Sequence, residues 1–183
     1  MHSKIDLYLE HHSNPSNNYT GDSLQIHYDS IQNLITEKKC KTALDYGCGS
    51  ASGYINDRIH LKWGLEDMGL YDPGVPQFGV LPGKKYDLVI CTDVLEHVPE
   101  EEISDTLNEI FSISKKCCFI NIAMYPAGTF LPNGENAHCT LKPIDWWRVK
   151  MSENIKKDIE VHALYSFAHL DPTKIHYEKY LKE

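Results

Sequence analysis

Thr42-Ala43-Leu44-Asp45-Tyr46-Gly47-Cys48-Gly49-Ser50 reads as a short apolar strand that ends in an acid and turns at once through two glycines. Glycine has no Cβ, so a ligand or a second backbone can approach such a turn closely, and positive φ costs little there. Ala51 to His60 reads as a helix, which makes the unit strand–turn–helix. In that setting backbone amides at the turn hold polar ligand groups. Gly-x-Gly is common in plain turns. What marks this one is its flanking elements and the acids that end later strands.

Upstream, Leu24, Tyr28, Ile31 and Ile35 recur at helical spacing and predict a helix over 23–38, with Asp22 or Ser23 as its cap. Downstream, Trp63-Gly64-Leu65 breaks the helix and Met68-Gly69-Leu70-Tyr71-Asp72 reads as a second strand. Pro73 and Pro76 bar a long helix after it. The stretch before Tyr86 has room for a loop with at most a short strand at Phe78-Gly79-Val80. Tyr86 to Thr92 is apolar almost throughout, as expected for a strand buried on both faces of a parallel sheet. Pro99 and then Glu100, Glu101 and Glu102 open a helix whose buried stripe is Ile103, Leu107, Ile110 and Phe111. A strand over Cys117–Met124, a loop over 125–141, a helix from Asp145 to 153 and a strand over Ile159–Phe167 follow. Lys174 to Leu181 pairs back on that strand across the Asp171-Pro172 turn.

Strands alternating with helices imply an α/β three-layer fold, with ligands beyond the carboxyl ends of the strands. Asp45, Asp72 and Asp93 stand at such ends. Burying three isolated acids for structure alone is costly, so a polar or cationic ligand is the better account.

At 183 residues the chain reads as one domain over 1–183, with a polar N-terminal segment at 1–20 that contains an Asn14-Pro15-Ser16-Asn17-Asn18 loop. The net charge of −8 argues against non-specific nucleic-acid binding. Arg148, Lys150, Lys156 and Lys157 read as solvated surface. The six cysteines show no Cys-x-x-Cys pair and lie mostly in apolar runs, which suits small core residues in a reducing cytoplasm and no metal site. No apolar run suggests a signal peptide or a membrane span.

Taken together, three segments resemble the class I S-adenosylmethionine (SAM)-dependent methyltransferases. Leu44-Asp45-Tyr46-Gly47-Cys48-Gly49 resembles their first motif, Asp72 matches the acid closing their second strand, and Tyr86 through Val98 resembles their fourth-strand motif. The resemblance covers residues 20–167. It implies a Rossmann-like, mostly parallel seven-stranded sheet with a reversed last strand. Asp45, Tyr46, Gly47 and Gly49 would then meet the methionine part of SAM, with Asp45 near its amino group. Asp72, with Pro73 after it, would take the ribose hydroxyls, and Asp93 and Val94 would line the other side. The adenine contact would fall within Gln77 to Leu81. The product would be S-adenosylhomocysteine.

Glu96 and His97, just past the fourth strand, and His138, in the long loop after the fifth, are the candidate catalytic residues. Each has an ordinary alternative as a residue that fixes its loop by hydrogen bonds. Trp146 and Trp147 read as packing, His11-His12 as a solvated terminus, and Tyr19 as a possible cover for the cofactor. An Asn/Asp-Pro-Pro-Tyr motif is missing after the fourth strand, which disfavours DNA bases as acceptors. The expectation is methyl transfer to an oxygen or nitrogen of a small-molecule or glycan-type acceptor, by a monomer or homodimer. Two alternatives stay open: a catalytically silent SAM-binding partner, and an NAD-dependent oxidoreductase. The latter fits poorly, because Ser52 stands where the third glycine of Gly-x-Gly-x-x-Gly belongs.

Overall fold

The sheet grows on both sides of β1 (Thr42–Tyr46). In the computed structural model, which describes residues 4–13 and 23–182, β2 (Asp67–Tyr71) pairs with one edge of β1 and β3 (Tyr86–Thr92) with the other. β4 (Ser114–Ala123) and β5 (Glu160–Ser166) continue in parallel, and β6 (Ile175–Leu181) closes the far edge antiparallel to β5. The order is β2-β1-β3-β4-β5-β6. β3 is buried along its whole length, as its unbroken apolar run requires.

Two apolar layers cover the sheet. On one face lie α3 (Tyr28–Lys38) and two short helices, α4 (Ser52–Ile55) and α5 (Ile59–Lys62), packed through Ile31, Leu34, Tyr54 and Trp63. On the other lie α6 (Ile103–Ile113) and α7 (Ile144–Asn154), packed through Leu107, Ile110, Trp147 and Met151. The fold is therefore an α/β, Rossmann-like three-layer sandwich with a reversed last strand.

Several expectations need correction. Among the described residues the sheet has six strands and not seven. The missing strand is replaced by a 3-10 turn at Pro76–Phe78, where prolines and glycines leave too little chain for a ladder. The helix expected over 23–38 is split at His27 into α2 (Ser23–Ile26) and α3. The helix expected over 51–60 is split into α4 and α5 by Arg58 in the left-handed region, φ 53°. The polar N-terminal segment contains α1 (Lys4–Ser13). Its Leu7 joins Leu131 and Ala137 in a small apolar cluster, and Lys4 pairs with Glu135 at 2.7 Å. His11 is buried there and is not part of a solvated terminus. The Asn14–Asn18 loop, Tyr19 and Asp22 lie outside the described residues.

Other expectations hold. Ile103, Leu107, Ile110 and Phe111 are fully buried, and Trp147 is core. Five of the six cysteines are buried free thiols, with Cys139 exposed. The basic group lies at the surface: Arg148, Lys156 and Lys157 are exposed and Lys150 is half-buried, and Arg148 is paired with Glu178 and Asp145.

Candidate functional site

The strand order reverses at β1, which has β2 on one side and β3 on the other. In open α/β sheets such a point is where ligands bind, because the connections leave in opposite directions. Asp45 sits near the end of β1, in register with Leu70 and Ile90. The chain then turns through Gly47 at φ +88°, and the amides of Gly47 and Cys48 donate to the Tyr71 carbonyl at 2.7 and 3.1 Å. Val94 presses on this turn from the end of β3. A Cβ on Gly47 would stand 2.2 Å from Val94 Cγ2, so only glycine fits.

Asp72 holds the same turn. Its Oδ2 accepts from Gly49 N–H and its Oδ1 from Gly74 N–H, both at 2.8 Å. Carboxylate oxygens have lone pairs to spare after one bond each, so the group remains able to accept from a ligand. Asp45 is different. It is buried, and its Oδ1 has no hydrogen-bond partner. Burial pushes its pKa up to about 7, and the neighbouring Asp72 charge adds to the rise. The Tyr54 hydroxyl lies toward it and opposes the rise, without reaching hydrogen-bond geometry. Tyr46 packs its ring in the same apolar layer as α6 and donates to Glu109 Oε1 at 2.5 Å. Pro73 is half-buried behind Asp72.

Asp93 caps β3 with φ 55°, a left-handed conformation that aspartate tolerates better than most residues. It is fixed there by Asn121, whose Nδ2 donates to Asp93 Oδ1 at 2.6 Å. Ser166 Oγ donates in turn to Asn121 Oδ1 at 2.7 Å. Sequence reading missed Asn121 and Ser166. The available signal was a single amide inside the apolar Cys117–Met124 run, since a buried amide needs partners. The Asp93 side of the site opens into a small cleft lined also by His27, Tyr125 and His169. Burial lowers the proton affinity of His27 against the opposing pull of Asp93.

Glu96, His97 and His138 converge, one ligand atom from each lying within 4.8 Å of the others. Glu96 is fully buried. Its Oε1 accepts from Ala123 N–H at 3.0 Å, and Oε2 has no partner. Burial, with Asp93 adding to it, holds the carboxyl well above the usual range. His138 Nδ1 meets the Tyr125 carbonyl at 2.5 Å. His97 Nδ1 meets the Ala137 carbonyl at 3.1 Å and the Tyr8 hydroxyl at 2.9 Å, while that hydroxyl donates to Ala137 O at 2.8 Å. The two rings are edge to face at 4.6 Å. Burial lowers the proton affinity of His138 and keeps its imidazole neutral near pH 7. Tyr8 was not legible as a site residue, although Lys4, Leu7, Tyr8 and His11 form one helical face.

The end of β1 thus gathers two acids, the buried Asp45 and the half-buried Asp72, at a tight backbone turn, and a second group holds one carboxyl and two imidazoles. The first arrangement suits a ligand with an ammonium and hydroxyls. The second suits proton handling or cation binding.

No protein-family model and no curated protein matches the chain. Six solved chains match it in structure. One of them, described as the DhpI–SAH complex, shares 10% sequence identity and a TM-score of 0.38 over 100% of this chain and 81% of that one. An overlap of that depth carries no argument about activity. No helix among the described residues is long and apolar enough to cross a membrane.

Proposed function

We propose that this chain is a SAM-dependent methyltransferase acting on an oxygen or nitrogen of a small-molecule or glycan-type acceptor. The observation that carries the reading is Asp45: a buried carboxyl with an unpartnered oxygen, beside a glycine turn and a second acid. A cationic ligand group there would complete the missing interaction and bring Asp45 into its charged form. The α-ammonium of SAM has that chemistry. Asp72, at the end of the next strand, offers the acceptor oxygens a vicinal diol needs. The backbone at Gly47 and Gly49 would face the methionine part, and Asp93 and Val94 the opposite side.

Methyl transfer from a sulfonium is an in-line displacement, so alignment and proximity provide much of the rate. The acceptor would enter past Val94, where Glu96, His97 and His138 stand. An acceptor hydroxyl loses its proton as the new bond forms, and the neutral imidazole of His138 supports it as the group on that side.

Calorimetric titration with SAM, S-adenosylhomocysteine and NAD tests the proposal. Micromolar binding of the first two, with none of NAD, is the expected result. Binding of NAD alone would replace methyl transfer by hydride transfer, and no binding of any of the three would remove the reading.

A further inference from the structure

We propose that Glu96, His97 and His138 form a binding site for a divalent first-row transition cation. Three observations point there. One ligand atom from each residue falls within 4.8 Å of the other two. A cation about 2.1 Å from each ligand spaces them roughly 3–4 Å apart, so binding closes the group by about 1 Å. Both imidazoles also have their tautomer fixed. A carbonyl only accepts, so the Tyr125 carbonyl fixes the hydrogen of His138 on Nδ1, and the Ala137 carbonyl does the same for His97. Each ring then carries its lone pair on Nε2, with Nδ1–H held by a second layer of backbone. The third observation concerns hydrogen bonding and not proximity. Glu96 is fully buried, and its Oε2 has no partner while Oε1 is taken by Ala123 N–H.

A buried carboxyl oxygen without a partner is expensive, and a cation, displacing the carboxyl proton as it binds, is a group that two imidazole nitrogens and one carboxylate oxygen can share. Two nitrogens and one oxygen favour a transition dication over Mg²⁺ or Ca²⁺, which prefer all-oxygen shells. Three protein ligands leave coordination positions open, as in sites that bind water or substrate. Such a cation, when bound, lowers the pKa of a coordinated hydroxyl. The cation site stands on its own geometry. Its placement beside the acceptor rests on the methyltransferase reading, and it would assign the two imidazoles to coordination.

The test is titration of the full chain, without SAM, with Co²⁺ alone, followed by visible absorption. One equivalent bound, and displaced by Zn²⁺, is expected. Glu96→Gln and His138→Ala should each weaken it at least tenfold, and His176→Ala, on the exposed edge of β6, should leave it unchanged. Glu96→Gln retains the oxygen that accepts from Ala123, so unchanged melting of that variant separates ligand loss from unfolding. No uptake by the wild type, or uptake indifferent to both substitutions, would overturn the proposal. A thiolate charge-transfer band would do so too, by moving the site to Cys139, whose Sγ lies 3.3 Å from the His97 carbonyl. SAM is titrated in parallel: SAM uptake without Co²⁺ uptake sinks the cation alone, and the reverse sinks the methyltransferase reading alone.

Discussion

At Asp45 burial outweighs the other influences, and its pKa near 7 has consequences for both stability and binding. The unfolded chain loses this proton near pH 4, whereas the folded chain keeps it until about pH 7. Stability from this group is therefore full at low pH and falls as pH rises across that window, by on the order of 4 kcal/mol. Asp45→Asn removes the titration. Its melting temperature relative to wild type should rise steadily from about pH 4 to about pH 8. A constant difference between the two proteins would show that Asp45 does not titrate in this way. Ligand binding reads the same group. An ammonium placed against Asp45 favours its charged form, so SAM binding at pH 6 should release protons. Calorimetry in buffers of different ionisation enthalpy measures this, and zero release would place the ammonium elsewhere.

Elements differ in how openly the sequence declares them. β3 and α6 were legible because burial on one face, or on both, leaves a regular apolar pattern: Val89 and Ile90 in the strand, Leu107 and Phe111 in the helix. The acids at strand ends were legible for the same reason, as interruptions of that pattern. α1 was not, because its role depends on where it docks: Tyr8 meets His97 and the Ala137 carbonyl, partners far away in the chain. The Asp93–Asn121–Ser166 chain was hidden in the same way across three strands. Two elements carry predictions. Gly47→Ala meets both a positive φ and Val94, and should destabilise by about 2–4 kcal/mol in urea unfolding. Adding Val94→Ala should recover the clash but not the backbone strain, so full recovery would contradict the geometry. Leu7→Ala, in the small cluster with Leu131 and Ala137, should act locally. Hydrogen exchange should quicken at the Ala137 amide, which donates to the Thr129 carbonyl, with little change at β3. Equal quickening at both would mean that α1 belongs to the global core.

Across the whole molecule, titrating groups oppose one another. Arg148 beside Glu178 holds that carboxyl down to about 2, and so clamps α7 to the edge strand β6. Its stabilisation is present above pH 4.5, the ordinary value, and is lost as pH falls toward 2. The gain is modest because the guanidinium is half exposed and screened by solvent. His27 and His138, kept neutral by burial, work in the same direction: the unfolded chain takes up their protons as pH falls below 6.5, and the folded chain resists. Asp45, up to about pH 7, and Glu96, whose carboxyl burial also holds well above the usual range, work in the opposite direction. Melting temperature should therefore pass through a maximum on the acidic side of neutrality and fall on both flanks. Two substitutions separate the flanks. Arg148→Gln returns Glu178 toward its ordinary value, so it should flatten the limb below pH 4.5 and leave the limb near neutrality as it was. Asp45→Asn should make the limb near neutrality shallower, with Glu96 left to shape the rest, and should leave the limb below pH 4.5 as it was. Thermal melts of the three proteins from about pH 3 to pH 8 decide it. If either substitution moves both limbs together, the two ends of the sheet are coupled through the core, and the edge clamp and the buried acid are not independent contributors.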